Sequence, residues 1–213
     1  RPGGGRLLRV YDDVVEAMGI DNVIVHAQKP SAAGSNDTKS SNTSLIQTYG
    51  LSEKDLRHMR MFQNVKNVIT LTDARKKILK GLTRLDILPV ATTPDFLEAS
   101  KSTMIEGRWL NDIDLKNKST VCVIGRDAAK KIFSFRQRGA LGTNIRIENT
   151  SFKIVGIFEN EHGARFPQLG SPNNMIFIPK STADAFFNHH SLQREGKQVN
   201  IVRVEYDVFI VKV

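Results

Sequence analysis

The chain is poor in cysteine, with one, Cys122, in 213 residues. A single cysteine excludes an internal disulfide framework and a metal site built from several thiolates. Cys122 stands inside the apolar run Thr120–Ile124. We therefore predict that it is a small buried hydrophobic residue and not a reactive thiol.

Long hydrophobic runs are also missing. No stretch approaches the roughly 18 consecutive apolar residues that a membrane-spanning helix requires, and no signal-peptide pattern opens the chain. The sequence begins at Arg1, and its last residues, Ile201–Val213, follow a strand-like pattern. We expect an excised piece or a mature product of a longer protein, with a truncated C-terminal part.

Motifs for catalysis, nucleotides or metals are lacking as well. Gly3–Gly5 follows no strand and has no Lys-Ser/Thr after it, and there is no Gly-x-Ser-x-Gly. Asp112 and Asp114 have no nearby His or Cys to complete a ligand set, so we predict a turn whose side chains bond their own backbone. His189-His190 cannot share one helix face. We assign no catalytic, cofactor-binding or metal-binding residue, and expect no cofactor and no enzymatic activity.

The chain does contain enough apolar residues for a core and a marked excess of positive charge. A hydrophobic content of 40% over 213 residues suits one large domain or two small ones. The net charge of +9 raises the question of nucleic acid. The basic pairs Lys76-Lys77 and Lys130-Lys131 are dispersed, however, and no nucleic-acid-binding motif accompanies them. We predict no nucleic-acid partner, and a basic surface that faces anionic lipid head groups or an acidic partner.

Local patterns predict the elements of the first half. Arg6–Met18 has the spacing of an amphipathic helix, and Asn22–His26 that of a buried strand. Residues 28–49 are polar and are expected to form a mobile loop. Ser52 and Asp55 have the spacing of a capping box at a helix start. In that helix Leu56, Met59 and Phe62 are expected to form one apolar face.

A βαβ-like unit is predicted next. Its strands are Asn67–Leu71 and Leu85–Val90, and the basic segment Ala74–Lys80 lies between them. Thr93, with Pro94 after it, is expected to cap a short helix. The C-terminal strand is expected to complete this α+β unit.

The second half is predicted to be richer in strands. Its elements are a strand over Thr120–Ile124, a helix over Arg126–Phe133, a hairpin of Asn144–Glu148 with Ser151–Phe158, an exposed excursion over Glu159–Asn174, a strand over Met175–Ile178 and a helix over Ser181–Phe187. The alternation of Ile145 and Ile147 with charged residues indicates a half-buried sheet.

The order of parts from Gly107 to Pro179 resembles the core of the extracytoplasmic domain of MacB-type ABC transporter permeases. Leu51–Asp184 carries most of the likeness. The residues that match are Glu106-Gly107-Arg108-Trp109-Leu110, Asp112, Asp114, Thr120-Val121-Cys122-Val123-Ile124-Gly125, Ala128-Ala129-Lys130-Lys131-Ile132-Phe133, Leu141-Gly142-Thr143-Asn144-Ile145-Arg146-Ile147, Phe152-Lys153-Ile154-Val155-Gly156-Ile157-Phe158 and Met175-Ile176-Phe177-Ile178-Pro179.

The resemblance implies an α+β fold of two lobes. Residues 1–103 would form the first part of a porter-like βαβ subdomain, with 28–49 as its mobile loop. Residues 104–187 would form an inserted, mostly β subdomain, and 188–213 would return to the first. Such a domain lies between two membrane helices on the periplasmic side of the inner membrane, or on the extracellular face of a single-membrane bacterium.

The implied function is mechanical. The domain transmits ATP-driven conformational change to export of a substrate or to a partner protein, and the ATPase is a separate domain. The implied partners are a second permease protomer, a membrane-fusion (adaptor) protein and the inner membrane through flanking helices. Among the branches of the superfamily, which are efflux, lipoprotein extraction and regulation of cell-wall hydrolases, the pattern favours efflux.

Arg108 and Trp109 are the candidate site residues. Both residue types are frequent at binding hot spots, so they could form a partner contact. The favoured interpretation is structural: Gly107 permits a tight turn, Trp109 fills the space between the lobes, and Arg108 pairs with an acidic neighbour.

Two other function classes remain open from the residues alone. One is a stand-alone periplasmic interaction or ligand-binding module with a hydrophobic cleft between its lobes. The other is a hydrolase with a site built from Asp112, Asp114 and His162. A parent reading frame with one apolar helix before Arg1 and three after Val213 would favour the permease.

Overall fold

The structure is a computed structural model. It describes residues 22–26, 46–48, 51–74, 77–80, 83–133, 139–166, 169–187, 190–195, 198–203 and 206–213. The predicted helix Arg6–Met18 and His189 lie outside these residues. Most of the predicted loop 28–49 also does, but Ile46–Thr48 forms a strand, so the loop prediction is wrong for these three residues.

The elements confirm the α+β class. The strands are β1 Asn22–His26, β2 Ile46–Thr48, β3 Asn67–Asp73, β4 Ile78–Lys80, β5 Thr83–Leu85, β6 Leu88–Thr92, β7 Thr103–Gly107, β8 Val121–Gly125, β9 Asn144–Ile147, β10 Thr150–Glu159, β11 Met175–Pro179, β12 His190–Glu195, β13 Gln198–Arg203 and β14 Val208–Lys212. The helices are α1 Glu53–Arg60, α2 Phe96–Ala99, α3 Asp112–Lys116, α4 Arg126–Phe133 and α5 Lys180–Phe186, with a 3-10 helix at Pro172–Asn174.

Eleven strands form one mixed sheet in the order β1-β14-β3-β6-β11-β8-β10-β9-β4-β5, with β7 beside β10. The pairs β6–β11 and β8–β10 are parallel. A second sheet contains β12, β13 and β2. The large sheet therefore runs through both predicted lobes, and the C-terminal strand β14 lies between β1 and β3. The division at residues 103 and 187 stays a prediction.

The βαβ-like unit predicted between Asn67 and Val90 is not what forms there. Strands β3 and β6 pair antiparallel, and the chain between them contains the strands β4 and β5. Ile78 of β4 is fully buried and lies opposite Ile147 of β9. Pairing with a distant strand and burial of Ile78 decide the conformation here, which local propensity does not encode.

Helix α1 begins as its capping box predicts. The Ser52 side chain accepts a hydrogen bond from the Asp55 N–H, and the Asp55 carboxylate accepts one from the Ser52 N–H at 2.8 Å. Leu56 is buried, and Met59 packs against the same cluster. Phe62 does not share this face, contrary to the prediction, because the helix ends at Arg60 and a turn carries Phe62 into solvent.

Helix α2 begins later than predicted. Asp95 occupies the N-cap position without a side-chain cap bond, so the prediction that Thr93 caps the helix is wrong. The Thr93 hydroxyl is buried and has no hydrogen-bond partner among the described residues. Phe96, the first residue of α2, is completely buried.

The second half follows its predicted pattern closely. Strand β8, helix α4, the β9–β10 hairpin and strand β11 form within a residue or two of the expected bounds. Ile145 and Ile147 are buried while Arg146 is exposed, which confirms the half-buried sheet. The predicted excursion over Glu159–Asn174 is only partly exposed, because Ala164 and Phe166 are buried.

The core lies on both faces of the large sheet, since successive strand residues point to opposite faces. On one face, α1 covers a cluster with Val25, Val68 and Phe209, and α4 and α5 contribute to a second one with Phe152 and Ile176. On the other face lies an aromatic cluster made by Phe96, Trp109, Phe158, Phe166 and Phe177.

Candidate functional site

Trp109 stands at the centre of the aromatic cluster and is 8% exposed. Its ring stacks on Phe96 at 5.9 Å between centroids and meets the edge of Phe158 at 5.3 Å. Phe177 lies 5.5 Å away. Phe96 belongs to the predicted first lobe and the other two belong to the predicted insertion. Trp109 therefore joins side chains from both parts through contacts that aromatic rings favour.

Arg108 makes a bidentate ion pair with Asp114. Its two terminal nitrogens donate to the two carboxylate oxygens at 2.6 and 3.0 Å, and one of them also donates to the Trp109 carbonyl at 2.9 Å. The bond to Asp114 raises the pKa of the Arg108 guanidinium. The predicted pairing of Arg108 with an acidic neighbour is confirmed, and its planar, charge-assisted geometry is the strong form of such a pair.

Asp114 also completes the capping box at the start of helix α3. Its carboxylate accepts from the Asn111 N–H at 3.1 Å, and the Asn111 side chain accepts from the Asp114 N–H at 2.9 Å. The predicted bond from this segment's side chains to its own backbone is present, but in a helix and not in a turn. Asp112 is exposed on the same helix. The two carboxylates therefore occupy different environments and form no acid-base pair.

Two glycines fix the backbone beside Arg108. Gly107 lies opposite Gly156 in the β7–β10 pair. A Cβ on Gly107 would lie 2.3 Å from the Val155 carbonyl, and one on Gly156 would lie 2.2 Å from the Arg108 carbonyl. Gly107 also has a φ of +76°. Sequence reasoning identified Gly107 as a turn residue and missed Gly156, whose requirement comes from a strand distant in sequence.

Asn160 is a second point of attachment that sequence reasoning missed. It is 3% exposed, and its amide nitrogen donates to the Ser100 carbonyl at 2.7 Å and to the Ser102 hydroxyl at 3.2 Å. Its amide oxygen accepts from the Ala164 N–H at 3.0 Å, and its backbone exchanges two bonds with the Asn173 side chain. An asparagine directly after the last residue of β10 was the available signal.

The other residues considered for a catalytic or metal site do not lie together. His162 is exposed in the turn that follows β10, and Asp114 is engaged with Arg108. Within the ranges that the structure describes, no group of three His, Cys, Asp or Glu side chains could hold a metal ion. Cys122 is buried, as predicted, and burial raises the pKa of its thiol.

A hollow of about 180 Å³ lies at one end of the sheet. Four of its seven lining residues, Lys66, Asp95, Glu98 and Lys212, are ionisable, so it is not the hydrophobic cleft expected of a ligand-binding module. The space between the predicted lobes, where that cleft was expected, holds the aromatic cluster around Trp109. Among the described helices, none is both long and apolar enough to cross a bilayer.

Comparison with known proteins gives concordant matches. Residues 9–211 match the family model of the MacB-like periplasmic core domain. The macrolide export ATP-binding/permease protein MacB of Syntrophobacter fumaroxidans is 35% identical over 66 residues, which are 31% of this chain and 9% of the relative. The pyoverdine export ATP-binding/permease protein PvdT of Pseudomonas syringae pv. syringae is 38% identical over 80 residues, or 38% and 12% of the two chains.

Solved structures show the same fold at low sequence identity. The periplasmic region of MacB from Actinobacillus actinomycetemcomitans has a TM-score of 0.61 at 14% sequence identity. The superposition covers 93% of this chain and 77% of the MacB chain. The extracellular domain of the transporter YknZ from Gram-positive bacteria has a TM-score of 0.55 at 15% identity, covering 76% and 73%. The family match extends over nearly the whole chain, and the chain belongs to the MacB-like periplasmic core domain family.

Proposed function

We propose that the chain is the extracytoplasmic head of an ABC transporter permease and that it transmits ATP-driven movement to export or to a partner protein. The observation that carries this proposal is the family match over residues 9–211. The family is a domain of transporter permeases and not a catalytic one. Both curated relatives are named as export proteins with an ATP-binding part. The matches span about a tenth of those relatives, at 9% and 12% of their length, so ATP hydrolysis and cargo belong to the proposal.

The fold supports a mechanical role. One hydrogen-bonded sheet extends from β1 to β10 and beyond, so a displacement at one end is carried by backbone bonds and not by side-chain contacts alone. Trp109, through Phe96, and Asn160, through Ser100, tie the chain before residue 103 to the chain after it. A body joined in this way can move as a unit.

The proposed surroundings follow from the family. The head would stand on the periplasmic side of the inner membrane, or outside a single-membrane bacterium, beside a second permease protomer and an adaptor protein. Of the two candidate contact residues, Trp109 is buried, whereas the Arg108 side chain is 46% exposed. We propose a structural role for both, and a partner contact only through the exposed part of Arg108.

The parent reading frame offers the first test. It should encode one apolar segment upstream of Arg1 and three downstream of Val213. A frame without them would favour the stand-alone interaction module.

Movement itself can be measured without knowing the cargo. In the full-length protein, with any cysteine outside residues 1–213 replaced by serine, spin labels at His162→Cys would report the distance between two protomers, since the buried Cys122 stays unlabelled. We expect this distance to differ between the ATP-bound and nucleotide-free transporter in lipid. Unlabelled protein controls for background signal. Identical distance distributions in a preparation that hydrolyses ATP would contradict the proposal.

A further inference from the structure

Strands β9 and β10 are covered on one face and uncovered on the other. On the covered face, four apolar residues are buried in the cluster to which α4 and α5 contribute: Ile145, Ile147, Phe152 and Ile154. The four residues that alternate with them are exposed: Asn144, Arg146, Ser151 and Lys153. Successive strand residues point to opposite faces, so this second group points away from the cluster. We call the second group the open face.

The register of the hairpin places the two cations of the open face diagonally. Ser151 lies opposite Arg146, and Lys153 lies opposite Asn144. Diagonal neighbours on one face of an antiparallel pair are about 7–8 Å apart. Each strand is also paired on its other side, β9 with β4 and β10 with β8, so backbone hydrogen bonds hold this spacing. The open face is therefore a rigid surface with two cations at a set separation.

The two cations lack the ion pairs that other cations in this half of the chain make. Four of those each pair with a carboxylate: Arg108, Arg126, Lys130 and Lys180. Within the described ranges, neither Arg146 nor Lys153 has an ion pair. The acidic residue nearest to them in sequence, Glu148, accepts from the Lys77 N–H at 3.4 Å. Neighbouring like charges do not stabilise a sheet, so folding does not explain the pair.

The chemistry of the open face favours an anionic partner. All four of its side chains can donate hydrogen bonds, and two of them are positively charged. Neither β9 nor β10 exposes a large apolar side chain. A contact with a bilayer interface needs such side chains to enter the acyl region. The open face therefore suits a protein surface rich in carboxylates better than a lipid surface.

The open face adjoins the candidate contact residue Arg108. Val121 lies opposite Lys153 and Val123 lies opposite Gly156, and both valines pack in the aromatic cluster, so Lys153 and Gly156 share one face of the sheet. A Cβ on Gly156 would lie 2.2 Å from the Arg108 carbonyl. The chain at Arg108 therefore crosses this face beside the open face and marks its margin.

We infer that the open face binds an extended acidic segment of a partner protein, with carboxylates at positions i and i+2 of that segment on Arg146 and Lys153. In an extended strand such side chains are about 7 Å apart, which matches the diagonal spacing of the cations. The inference rests on the proposed function, in which the head acts on a partner protein. A second copy of this chain is a poor occupant, because a symmetric contact would bring the same cations together.

Photocrosslinking in the full-length protein tests this contact. The photoreactive residue p-benzoylphenylalanine would replace Ser151, which lies next to both cations, in the host that carries the natural gene. The matched control places it at Lys131, which is exposed on α4 at the opposite face of the sheet. Mass spectrometry would identify the protein and the peptide that are joined to residue 151.

We expect a protein adduct at position 151 that is not formed at position 131, and a joined peptide with two acidic residues at i and i+2. An adduct to lipid, to a second copy of the chain, or to a peptide without that acidic pair would overturn the inference. The same protein joined at both positions, or no adduct at position 151, would also overturn it.

Charge reversal supplies a second arm. Arg146→Glu with Lys153→Glu should lower the yield of the adduct about tenfold, because two exposed ion pairs become two repulsions. The control, Lys101→Glu with Lys131→Glu, changes the net charge equally at exposed positions away from the open face and should leave most of the adduct. Equal losses in the two variants, or an unchanged yield in the first, would count against this surface.

The conservative exchange of the two cations separates charge from folding. Arg146→Lys with Lys153→Arg keeps both positive charges on the open face and should retain the adduct. All variants should keep the melting temperature of the parent protein, because the side chains that change are exposed. Loss of the adduct in the conservative variant at an unchanged melting temperature would contradict recognition by charge.

This inference and the proposed function fail separately. An adduct at position 151 combined with ATP-independent distances at position 162 would support the acidic partner and contradict transmission. ATP-dependent distances without an adduct at position 151 would support transmission and contradict this contact.

Discussion

Two places in this molecule carry large apolar side chains next to an arginine. In one place the apolar side chains are buried, and in the other they are exposed. At Trp109 the ring is buried among three phenylalanines, and Arg108 beside it is bound by Asp114. At Met61 and Phe62 the side chains stand in solvent, and Arg60 beside them is exposed.

The difference lies in what surrounds each segment. Around Trp109, strands β10 and β11 and helix α2 each supply a ring, and the carboxylate of Asp114 satisfies the cation. Around Phe62 no described element closes over the side chains. A buried residue of this kind acts mainly on stability, whereas an exposed pair is available to a surface outside the domain. Four substitutions sharpen or break this comparison.

The largest effect is expected from Trp109→Ala. Removing the ring leaves a cavity among Phe96, Phe158 and Phe177 and should lower the free energy of unfolding by about 3–5 kcal/mol. Denaturant unfolding would measure it. Phe62→Ala is the control and should change stability by no more than about 0.5 kcal/mol. Unchanged stability in Trp109→Ala together with lost partner binding would refute the structural role.

Gly107→Ala should come next. The new methyl group meets the Val155 carbonyl at 2.3 Å, and the residue must keep a φ of +76°, so we expect a loss of about 3 kcal/mol. Gly163→Ala is the matched control, because its φ is +67° but nothing lies within 4 Å of the added Cβ. That control should lose about 1 kcal/mol. Similar losses of stability in both variants would show that the close approach of residue 107 to the Val155 carbonyl of β10 does not cause the loss.

Asn160→Ala should destabilise the protein by about 2–3 kcal/mol, because it leaves the Ser100 carbonyl and the Ala164 N–H without their bonds in a buried place. Hydrogen exchange should show the loss locally, at Ala164 and the residues that follow β10. Asn149→Ala, in the exposed hairpin turn, is the comparison and should be nearly neutral. Protection of Ala164 that survives in Asn160→Ala would contradict the assigned role.

The smallest effect is expected from Arg108→Lys. Lysine keeps the charge but cannot form the two parallel bonds to Asp114, so a loss of about 1 kcal/mol is expected. Thermal melting at several salt concentrations would measure it. Arg146→Lys, on the exposed face of β9, should have no measurable effect. An equal loss of stability in Arg146→Lys would show that replacing any exposed guanidinium is destabilising and that the effect is not specific to the Arg108–Asp114 pair.

Local signals predicted much of the fold. Helix α4 forms over the predicted residues, β1 likewise, and the Ser52–Asp55 capping box starts α1, because each depends on neighbours within one or two turns. The alternation of Ile145 and Ile147 placed one face of β9 correctly for the same reason. The resemblance to MacB-type domains, confirmed by the family match, identified the class of protein.

The predictions that were wrong share a different cause. Strand β4 forms where a βαβ unit was predicted because Ile147, 69 residues further along, offers Ile78 a buried partner. Phe166 is buried in a stretch predicted to be exposed because Phe96 lies 5.8 Å from it. Neither partner is visible in a local window.

The sequence by itself determined that β1, β8, β9, β10 and β11 are strands, where α1 and α4 begin, and which family the order of motifs indicates. Only the tertiary structure decided that eleven strands join into one sheet through both predicted lobes, that Asn160 donates to the Ser100 carbonyl, and that Met61 and Phe62 stay exposed. Periodicity and capping act over a few residues, whereas strand order and burial depend on contacts between residues far apart in the chain.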